Sequence, residues 1–223
     1  MLSLVAVLRQ DARAALLWLV VAQVIDGIDG PIARWLRVDI VLPNLDGYTL
    51  DLVVDYVTCV VVPAAFLYRF QLVPGWAMMP SVSLVLFTSA LWFSRKDMLT
   101  EDHWFRGWPA VWNLAVPCMY LAGTHHVINL VVLVLCASFT MTNLPFVHPL
   151  QVTDGRVFTA AVTVVWLITL VTLTMMLPRH TAWGDLFLLG PPCYYLGLTA
   201  NRVREERRER ASIGMSKKMR LTA

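Results

Sequence analysis

The sequence predicts an all-α protein, a polytopic helical bundle embedded in a membrane, with seven spans and an N-terminal helix stub. Hydrophobic residues make up 58% of the 223 residues and charged residues 15%, whereas soluble domains have about 45 to 50% and about 25%. Seven apolar stretches are each about long enough to cross a bilayer when tilt is allowed. They lie near residues 14–36, 48–70, 76–94, 109–123, 126–144, 157–177 and 183–200.

The two ends of the chain differ from these spans. Residues 1–8 are apolar but too short to cross a bilayer, and no cleavable signal pattern follows them. We expect them to form a short helix stub. Residues 1–202 are expected to form one transmembrane domain and residues 203–223 a basic tail. From Arg202 to Arg220 there are eight basic and three acidic residues, which favours contact with anionic lipid headgroups; no pattern accompanies them that would indicate nucleic-acid binding.

Basic residues indicate the orientation of the bundle. In the seven-span arrangement most of them alternate along the chain onto one side, and these are Arg34, Arg37, Arg95, Lys96, Arg106, Arg156 and the tail from Arg202. A smaller group falls on the other side, namely Arg9, Arg13, Arg69 and Arg179. The positive-inside rule makes the first side cytoplasmic.

Four carboxylates lie within the first two apolar stretches. Asp26 and Asp29 belong to the first, and Asp51 and Asp55 to the second. A carboxylate in the membrane costs several kcal/mol unless it is paired, hydrated or bound to a cation. The simplest common explanation is a site for a divalent metal.

Helical spacing supports a metal site. Positions 26, 29, 30 and 33 fall on one face of a helix, and positions 47, 51 and 55 on one face of the next. Two facing helices would therefore point all four carboxylates into one cavity. Carboxylate oxygens suit hard ions such as Mg²⁺ or Mn²⁺, and Arg34 on the same face is placed to bind a phosphate. An intramembrane cation transporter is the alternative from another class of protein, but it does not explain the glycines, alanine and arginine at fixed offsets.

These residues carry a resemblance to a known family. The pattern Asp-x2-Asp-Gly-x2-Ala-Arg, followed by Gly-x3-Asp-x3-Asp, resembles the signature of the CDP-alcohol phosphotransferases, which are integral membrane enzymes. Every fixed position is present, at Asp26, Asp29, Gly30, Ala33, Arg34, Gly47, Asp51 and Asp55. Twelve residues separate Arg34 from Gly47, more than in many members of the family. This longer insert, the segments around the signature, and the blocks 96–113 and 144–149 are similar to the bacterial phosphatidylcholine synthases.

The resemblance implies an activity and a role for each signature residue. The domain of residues 1–202 would be catalytic, transferring a phosphatidyl group from CDP-diacylglycerol to choline with release of CMP. The metal, Mg²⁺ or Mn²⁺, would be held by Asp26, Asp29, Asp51 and Asp55. Asp55 would also be the general base for the alcohol. The CMP moiety would be cradled by Gly30, Ala33, Arg34 and Gly47.

The segment 95–112 favours choline as the acceptor. Aromatic faces bind quaternary ammonium groups, and acidic residues nearby add to the attraction. The candidate choline contacts are Tyr56, Glu101, Trp104, Phe105, Trp108 and Trp112. An interfacial loop with tryptophans at the headgroup level would show the same composition, and serine, inositol or glycerol phosphate remain alternative acceptors.

The resemblance further implies a multi-pass protein of the bacterial inner membrane, with its site facing the cytoplasm, and a homodimer.

Overall fold

The computed structural model describes residues 1–149, 155–179 and 181–222, and these residues are predominantly helical. Asp11 begins the first long helix by accepting a hydrogen bond from the Ala14 amide on its side chain, at 2.9 Å. Such caps satisfy amides that have no partner within the helix. The α-helices are α1 (Leu2–Leu8), α2 (Ala12–Trp35), α3 (Val38–Val41), α4 (Gly47–Asp55), α5 (Val62–Arg69), α6 (Met78–Phe93), α7 (Trp112–Leu121), α8 (His126–Thr140), α9 (Arg156–Met176) and α10 (Ala182–Thr222).

Four helical stretches among the described residues are long and apolar enough to cross a membrane. They are Ala12–Trp35, Gly47–Arg69, Gly75–Phe93 and Arg156–Met176. Each coincides, within about two residues at either end, with one of the predicted spans. The prediction of a polytopic helical membrane protein is therefore confirmed in its coarse form.

The three other predicted spans contain helices that are either shorter or interrupted by proline. The stretch 109–123 contains α7, which has ten residues, and the stretch 126–144 contains α8, which has 15. A left-handed residue precedes α7 and another follows it, Ala110 at φ 55° and Gly123 at φ 57°, and each stops the helix from extending. The third stretch, 183–200, is the first part of α10, which contains Pro191 and Pro192. The count of seven spans stays a prediction.

The second signature stretch is not a uniform α-helix. The α-helix α4 ends at Asp55, a π-helical segment occupies Tyr56–Val61, and α5 continues from Val62. Pro63 gives the physical reason, because it has no amide hydrogen for the carbonyl four residues earlier and its ring crowds that carbonyl. The wider π turn accommodates this defect directly after Asp55. Such π segments are frequent at functional sites.

The N-terminal stub is helical, as predicted, and it packs on α2. The Ser3 hydroxyl donates to the Ala15 carbonyl at 2.8 Å, and both residues are buried. The main core lies between the helices and contains a single set of apolar side chains. Its largest fully buried members include Trp112, Phe66, Leu16, Leu67, Leu133 and Leu170.

Two connecting segments meet at one end of the bundle. A short antiparallel pairing joins β1 (Phe105–Arg106) to β2 (Pro145–Phe146), and the sequence did not predict it. Gly107 follows β1 at φ +83°, and a Cβ there would lie 2.6 Å from the Thr140 carbonyl oxygen. Only glycine permits this close approach of two backbones. The structure therefore places the segments 95–111 and 141–149 on the same side of the bundle.

The tail continues a helix rather than starting a new element. Helix α10 runs through residue 202 to Thr222, so the predicted boundary between residues 202 and 203 lies inside it. Arg202 donates to Asp102 at 2.5 Å, which fixes the start of the tail to the segment 95–111. Residue 223 of the predicted tail lies outside the described residues.

Candidate active site on helices α2 and α4

Three of the four signature aspartates converge. Asp26 of α2, with Asp51 and Asp55 of α4, has carboxylate oxygens that lie within 4.8 Å of one another. Asp26 and Asp55 are half-buried and Asp51 is exposed. Asp29 is half-buried and lies outside this group. We call Asp26, Asp51 and Asp55 the aspartate cluster.

Local sequence explains how α4 presents its two members. Asp46 caps the helix, accepting from the Thr49 amide at 3.1 Å and from the Thr49 hydroxyl at 2.6 Å. The helix therefore begins at Gly47, and Asp51 and Asp55, four residues apart, fall on one face. Like charges this close repel each other unless a cation or a proton lies between them. The donor set consists of carboxylate oxygens, which fits Mg²⁺ or Mn²⁺.

The glycine and arginine positions of the signature lie on the same two helices as the aspartates, α2 and α4. Arg34 is exposed, and its Nη1 lies 3.3 Å from where a Cβ at Gly30 would be. The missing side chain of Gly30 thus leaves space for the folded-back guanidinium. Ala33 is exposed one turn after Gly30. Gly47 has nothing within 4 Å of a hypothetical Cβ, so a ligand can approach its backbone.

A row of aromatic rings runs from the residue after Asp55 to the segment 95–111. Tyr56 follows Asp55 directly, and its ring meets Phe93 edge-on at 5.9 Å. Phe93 meets Trp92 at 5.1 Å, and Trp92 meets Phe105 at 5.7 Å. Of the candidate choline contacts, Tyr56 and Phe105 therefore belong to one row. Both are half-buried.

The other aromatic candidates lie elsewhere. Trp112 is fully buried, and its indole Nε1 donates to the Ser89 hydroxyl at 2.9 Å. Trp108 packs on it with the two ring centroids 4.5 Å apart. Trp104 lies in a separate small cluster with Val147. The structure thus does not bring these three tryptophans together with Tyr56 and Phe105 into one cage.

The acidic residues of this segment are mostly engaged by arginines. Arg95 donates to both carboxylate oxygens of Asp97, at 3.1 and 3.2 Å, and this hydrogen bonding lowers the pKa of Asp97. Burial acts to raise the pKa of Asp102, but the Thr100 hydrogen bond and the charge of Arg202 outweigh it, and the pKa is lowered. Glu101, the acidic choline candidate, is exposed.

His148 lies beside this aromatic row. Its ring is stacked on Phe105, with 4.7 Å between centroids. Burial is the main reason that its pKa is lowered to about 4. The imidazole is therefore neutral at pH 7, and it contributes a ring rather than a charge to this part of the molecule.

Two residues at the site were missed by sequence reasoning. Gln23 donates from Nε2 to Asp26 Oδ2 at 3.1 Å. Asn113 of α7 in turn donates from its amide nitrogen to the Gln23 carbonyl oxygen. One signal was present in the sequence, since Gln23 is a polar residue in an apolar stretch and lies one turn before Asp26 on the same helix face.

Comparisons with known proteins identify the family. No family model matches the chain. It is 38% identical over 168 residues to the phosphatidylcholine synthase of Pseudomonas aeruginosa, an alignment that covers 75% of this chain and 71% of that protein. It is 40% identical over 179 residues to the enzyme of Bradyrhizobium diazoefficiens, covering 78% and 66%, and 34% identical over 165 residues to that of Mesorhizobium japonicum, covering 74% and 62%. The chain belongs to the phosphatidylcholine synthase family, so the resemblance carried by the aspartate signature is confirmed. The alignments leave about a third of these relatives' length unmatched.

Proposed function

We propose that this protein transfers the phosphatidyl group of CDP-diacylglycerol to choline, releasing CMP and forming phosphatidylcholine. The observation that carries the proposal is the aspartate cluster, which stands within the complete signature in a chain related to phosphatidylcholine synthases. CDP-diacylglycerol suits a polar site on membrane helices. The lipid's acyl chains can stay in the bilayer while its diphosphate meets the polar face of α2 and α4.

The signature aspartates hold a divalent cation, Mg²⁺ or Mn²⁺. The converging oxygens of Asp26, Asp51 and Asp55 support this assignment, and we propose that Asp29 joins them from the next turn of α2. When bound, the cation neutralises the diphosphate and stabilises the departing CMP. Arg34 binds a phosphate oxygen, while Gly30, Ala33 and Gly47 leave room for the nucleotide beside the backbone.

Asp55 is the general base. It accepts the hydroxyl proton of choline while the hydroxyl oxygen forms a bond to the phosphatidyl phosphorus. The bond from that phosphorus to the CMP oxygen breaks, and CMP leaves with the electron pair. A base within hydrogen-bonding reach accelerates such a step by about 10²- to 10⁴-fold. The position of Asp55 supports this role, because Tyr56 and the aromatic row begin immediately after it.

Choline is selected by aromatic contact with its trimethylammonium group. Tyr56 and Phe105 are the two candidates that belong to the aromatic row, and Tyr56 directly follows Asp55 in the chain. Glu101 adds negative charge from the exposed loop. The remaining candidates, Trp104, Trp108 and Trp112, support this region through packing.

The setting of the reaction is the bacterial inner membrane, with the site on the cytoplasmic face. The basic residues on the side of segment 95–111 and of the tail support this orientation. We propose seven spans, of which four are the long apolar helices described above, and a homodimer. The exposed apolar side chains on α2 and α4, among them Ile28, Ile32 and Val53, suit lipid or a second copy.

The test is an assay of acceptor choice. Purified protein in mixed micelles is incubated with CDP-diacylglycerol, Mn²⁺ and one alcohol at a time: choline, ethanolamine, serine, inositol or glycerol phosphate. Release of CMP and the lipid product are both measured. We expect CMP and phosphatidylcholine with choline alone. A product with another alcohol at the same rate would overturn the acceptor assignment, and no CMP with any of them would overturn the reaction class.

A further inference from the structure

Two amide side chains are linked to the aspartate cluster in a line that crosses from α2 to α7. Gln23 Nε2 donates to Asp26 Oδ2 at 3.1 Å. The Gln23 carbonyl oxygen accepts from Asn113 Nδ2. Asn113 is 5% exposed and Gln23 is half-buried. We call Asn113 and Gln23 the amide relay.

The direction of the relay follows from the Asp26 carboxylate at its end. Gln23 presents its amine end to Asp26 Oδ2, and this orientation suits a cation ligand, because a carboxylate that binds a cation is ionised and can only accept hydrogen bonds. The oxygen end of Gln23 then faces Asn113, and Asn113 has to present its own amine end. The amide orientations are thus fixed by hydrogen bonding alone, although oxygen and nitrogen look alike in most structures.

Packing does not account for this arrangement. Asn113 Oδ1 is buried and has no hydrogen-bond partner among the described residues. A buried unpaired acceptor lowers stability, and an apolar residue of the same size avoids that cost. An amide at position 113 therefore serves something other than the stability of the bundle, and the group that it does satisfy is Gln23.

We propose that Gln23 and Asn113 are positioning residues for the cation site, acting through the Asp26 carboxylate. One oxygen of Asp26 is held by Gln23, which fixes the rotation of the carboxylate and leaves the other oxygen available to a cation. Groups that orient metal ligands in this way commonly change metal affinity about 10- to 100-fold when they are removed. This inference rests on the proposed function, because it assumes that the aspartate cluster binds a divalent cation.

The experiment measures cation binding without turnover. Gln23→Met keeps the side-chain length and removes both hydrogen bonds. Asn113→Leu keeps the volume and removes the donor to Gln23. Purified variants are titrated with Mn²⁺ in the absence of substrate, and free Mn²⁺ is followed by electron paramagnetic resonance. We expect Gln23→Met to weaken Mn²⁺ binding about 10- to 100-fold. Asn113→Leu should weaken it less, because Asn113 reaches Asp26 only through Gln23.

A matched control is available on α8. Asn129 is also a buried amide, 2% exposed, and its hydrogen-bond partners are the Leu72 carbonyl, at 2.7 Å, and Thr124. Asn129→Leu removes a buried amide hydrogen bond in the same way, so it should lower thermal stability and leave Mn²⁺ affinity unchanged. Equal losses of Mn²⁺ affinity in Asn129→Leu and Gln23→Met would show a general structural effect and overturn the proposal.

Coupling between the two relay members gives a second readout. If Asn113 acts through Gln23, then Asn113→Leu has no further effect on Mn²⁺ affinity in a Gln23→Met background. Additive losses would overturn the relay. At limiting Mn²⁺ we expect the turnover number of Gln23→Met to be lower than that of wild type. Saturating Mn²⁺ should restore it, and the KM for choline should stay unchanged. Gln23→Asn, which keeps the amide but is too short to span both partners, provides the same test if Gln23→Met does not fold.

The outcome also separates this inference from the proposed function. Wild-type protein that releases CMP but binds no Mn²⁺ would overturn the relay and leave the transfer reaction standing, and wild-type protein that releases no CMP would overturn the proposed function. Wild-type protein that binds Mn²⁺ and releases CMP, beside a Gln23→Met variant with the same affinity, would overturn only the relay.

Discussion

The guanidinium of Arg202 lies over the indole ring of Trp104, with its Cζ 5.7 Å from the ring centroid. The same guanidinium forms an ion pair with Asp102 at 2.5 Å. Together these contacts attach the start of the tail to the segment 95–111. They also cover one face of Trp104, so a choline molecule cannot use that face while Arg202 is in place.

Replacing Arg202 should loosen this attachment. A cation over an aromatic ring contributes about 0.5 to 1 kcal/mol at an exposed site, and a partly exposed ion pair about 0.2 to 1 kcal/mol, so Arg202→Ala should lose about 0.7 to 2 kcal/mol of stability. Thermal unfolding in detergent micelles measures the change. Arg204 is exposed nearby on α10, and Arg204→Ala should stay within about 0.5 kcal/mol of wild type. Equal shifts for both variants would contradict the attachment.

The ion pair should also respond to pH in one direction. The folded protein lowers the pKa of Asp102, so the carboxylate stabilises the fold above its unfolded pKa, near 3.9. That contribution is lost as the pH falls through the folded pKa. The difference in Tm between wild type and Asp102→Asn should therefore be constant from pH 8 to about pH 5 and should narrow below about pH 4. A difference in Tm between wild type and Asp102→Asn that increases as the pH falls would contradict this prediction.

Removal of divalent cations should abolish phosphatidyl transfer. EDTA is expected to stop CMP release, and added Mn²⁺ or Mg²⁺ should restore it, because the diphosphate has to be neutralised before the alcohol approaches. Asp51→Asn should lose both Mn²⁺ binding and CMP release. Asp46→Asn is the matched control, since Asp46 lies outside the aspartate cluster and asparagine caps a helix as well as aspartate does. Full activity in metal-free enzyme would contradict the assignment.

The general base should be separable from the nucleotide site. Asp55→Asn removes the proton acceptor, so it should lower the rate of CMP release by about 10²- to 10⁴-fold. It should keep CDP-diacylglycerol binding better than Asp26→Asn does. Direct binding of CDP-diacylglycerol and the rate of CMP release, measured on both variants, test this difference. If both variants lose lipid binding equally, the two aspartates do not have distinct roles.

Local spacing explains which parts of the site the sequence predicted. The cluster of Asp26 with Asp51 and Asp55 follows from helical periodicity inside two apolar stretches, and periodicity is a short-range property. The predicted span near residues 48–70 is confirmed as the helical stretch Gly47–Arg69, but the sequence pattern did not indicate the change of helix type inside it. A proline after the signature converts Tyr56–Val61 into a π-helical segment, and the hydrophobic pattern alone does not reveal such a defect.

Contacts between distant segments could not be predicted in this way. Gln23 and Asn113 are 90 residues apart in the chain, and Asp102 and Arg202 are 100 apart. Their meeting depends on how whole helices pack, which a single sequence does not encode in any local pattern. For the same reason, the sequence grouped six choline candidates by composition, whereas the structure separates buried Trp112 and covered Trp104 from the aromatic row.

The position of Tyr56 leads to a prediction about choline itself. Its ring begins the aromatic row directly after Asp55, and its hydroxyl donates to the Leu86 carbonyl at 2.9 Å. A cation over a ring contributes about 0.5 to 2 kcal/mol, so Tyr56→Leu should raise the choline KM by about two- to thirty-fold. The KM for CDP-diacylglycerol should change little. Tyr56→Phe separates ring from hydroxyl, because it loses the hydrogen bond to Leu86 and keeps the aromatic face; its choline KM should stay near that of wild type. If Tyr56→Phe raises the choline KM as much as Tyr56→Leu does, the ring is not the recognition element and the choline contact lies elsewhere.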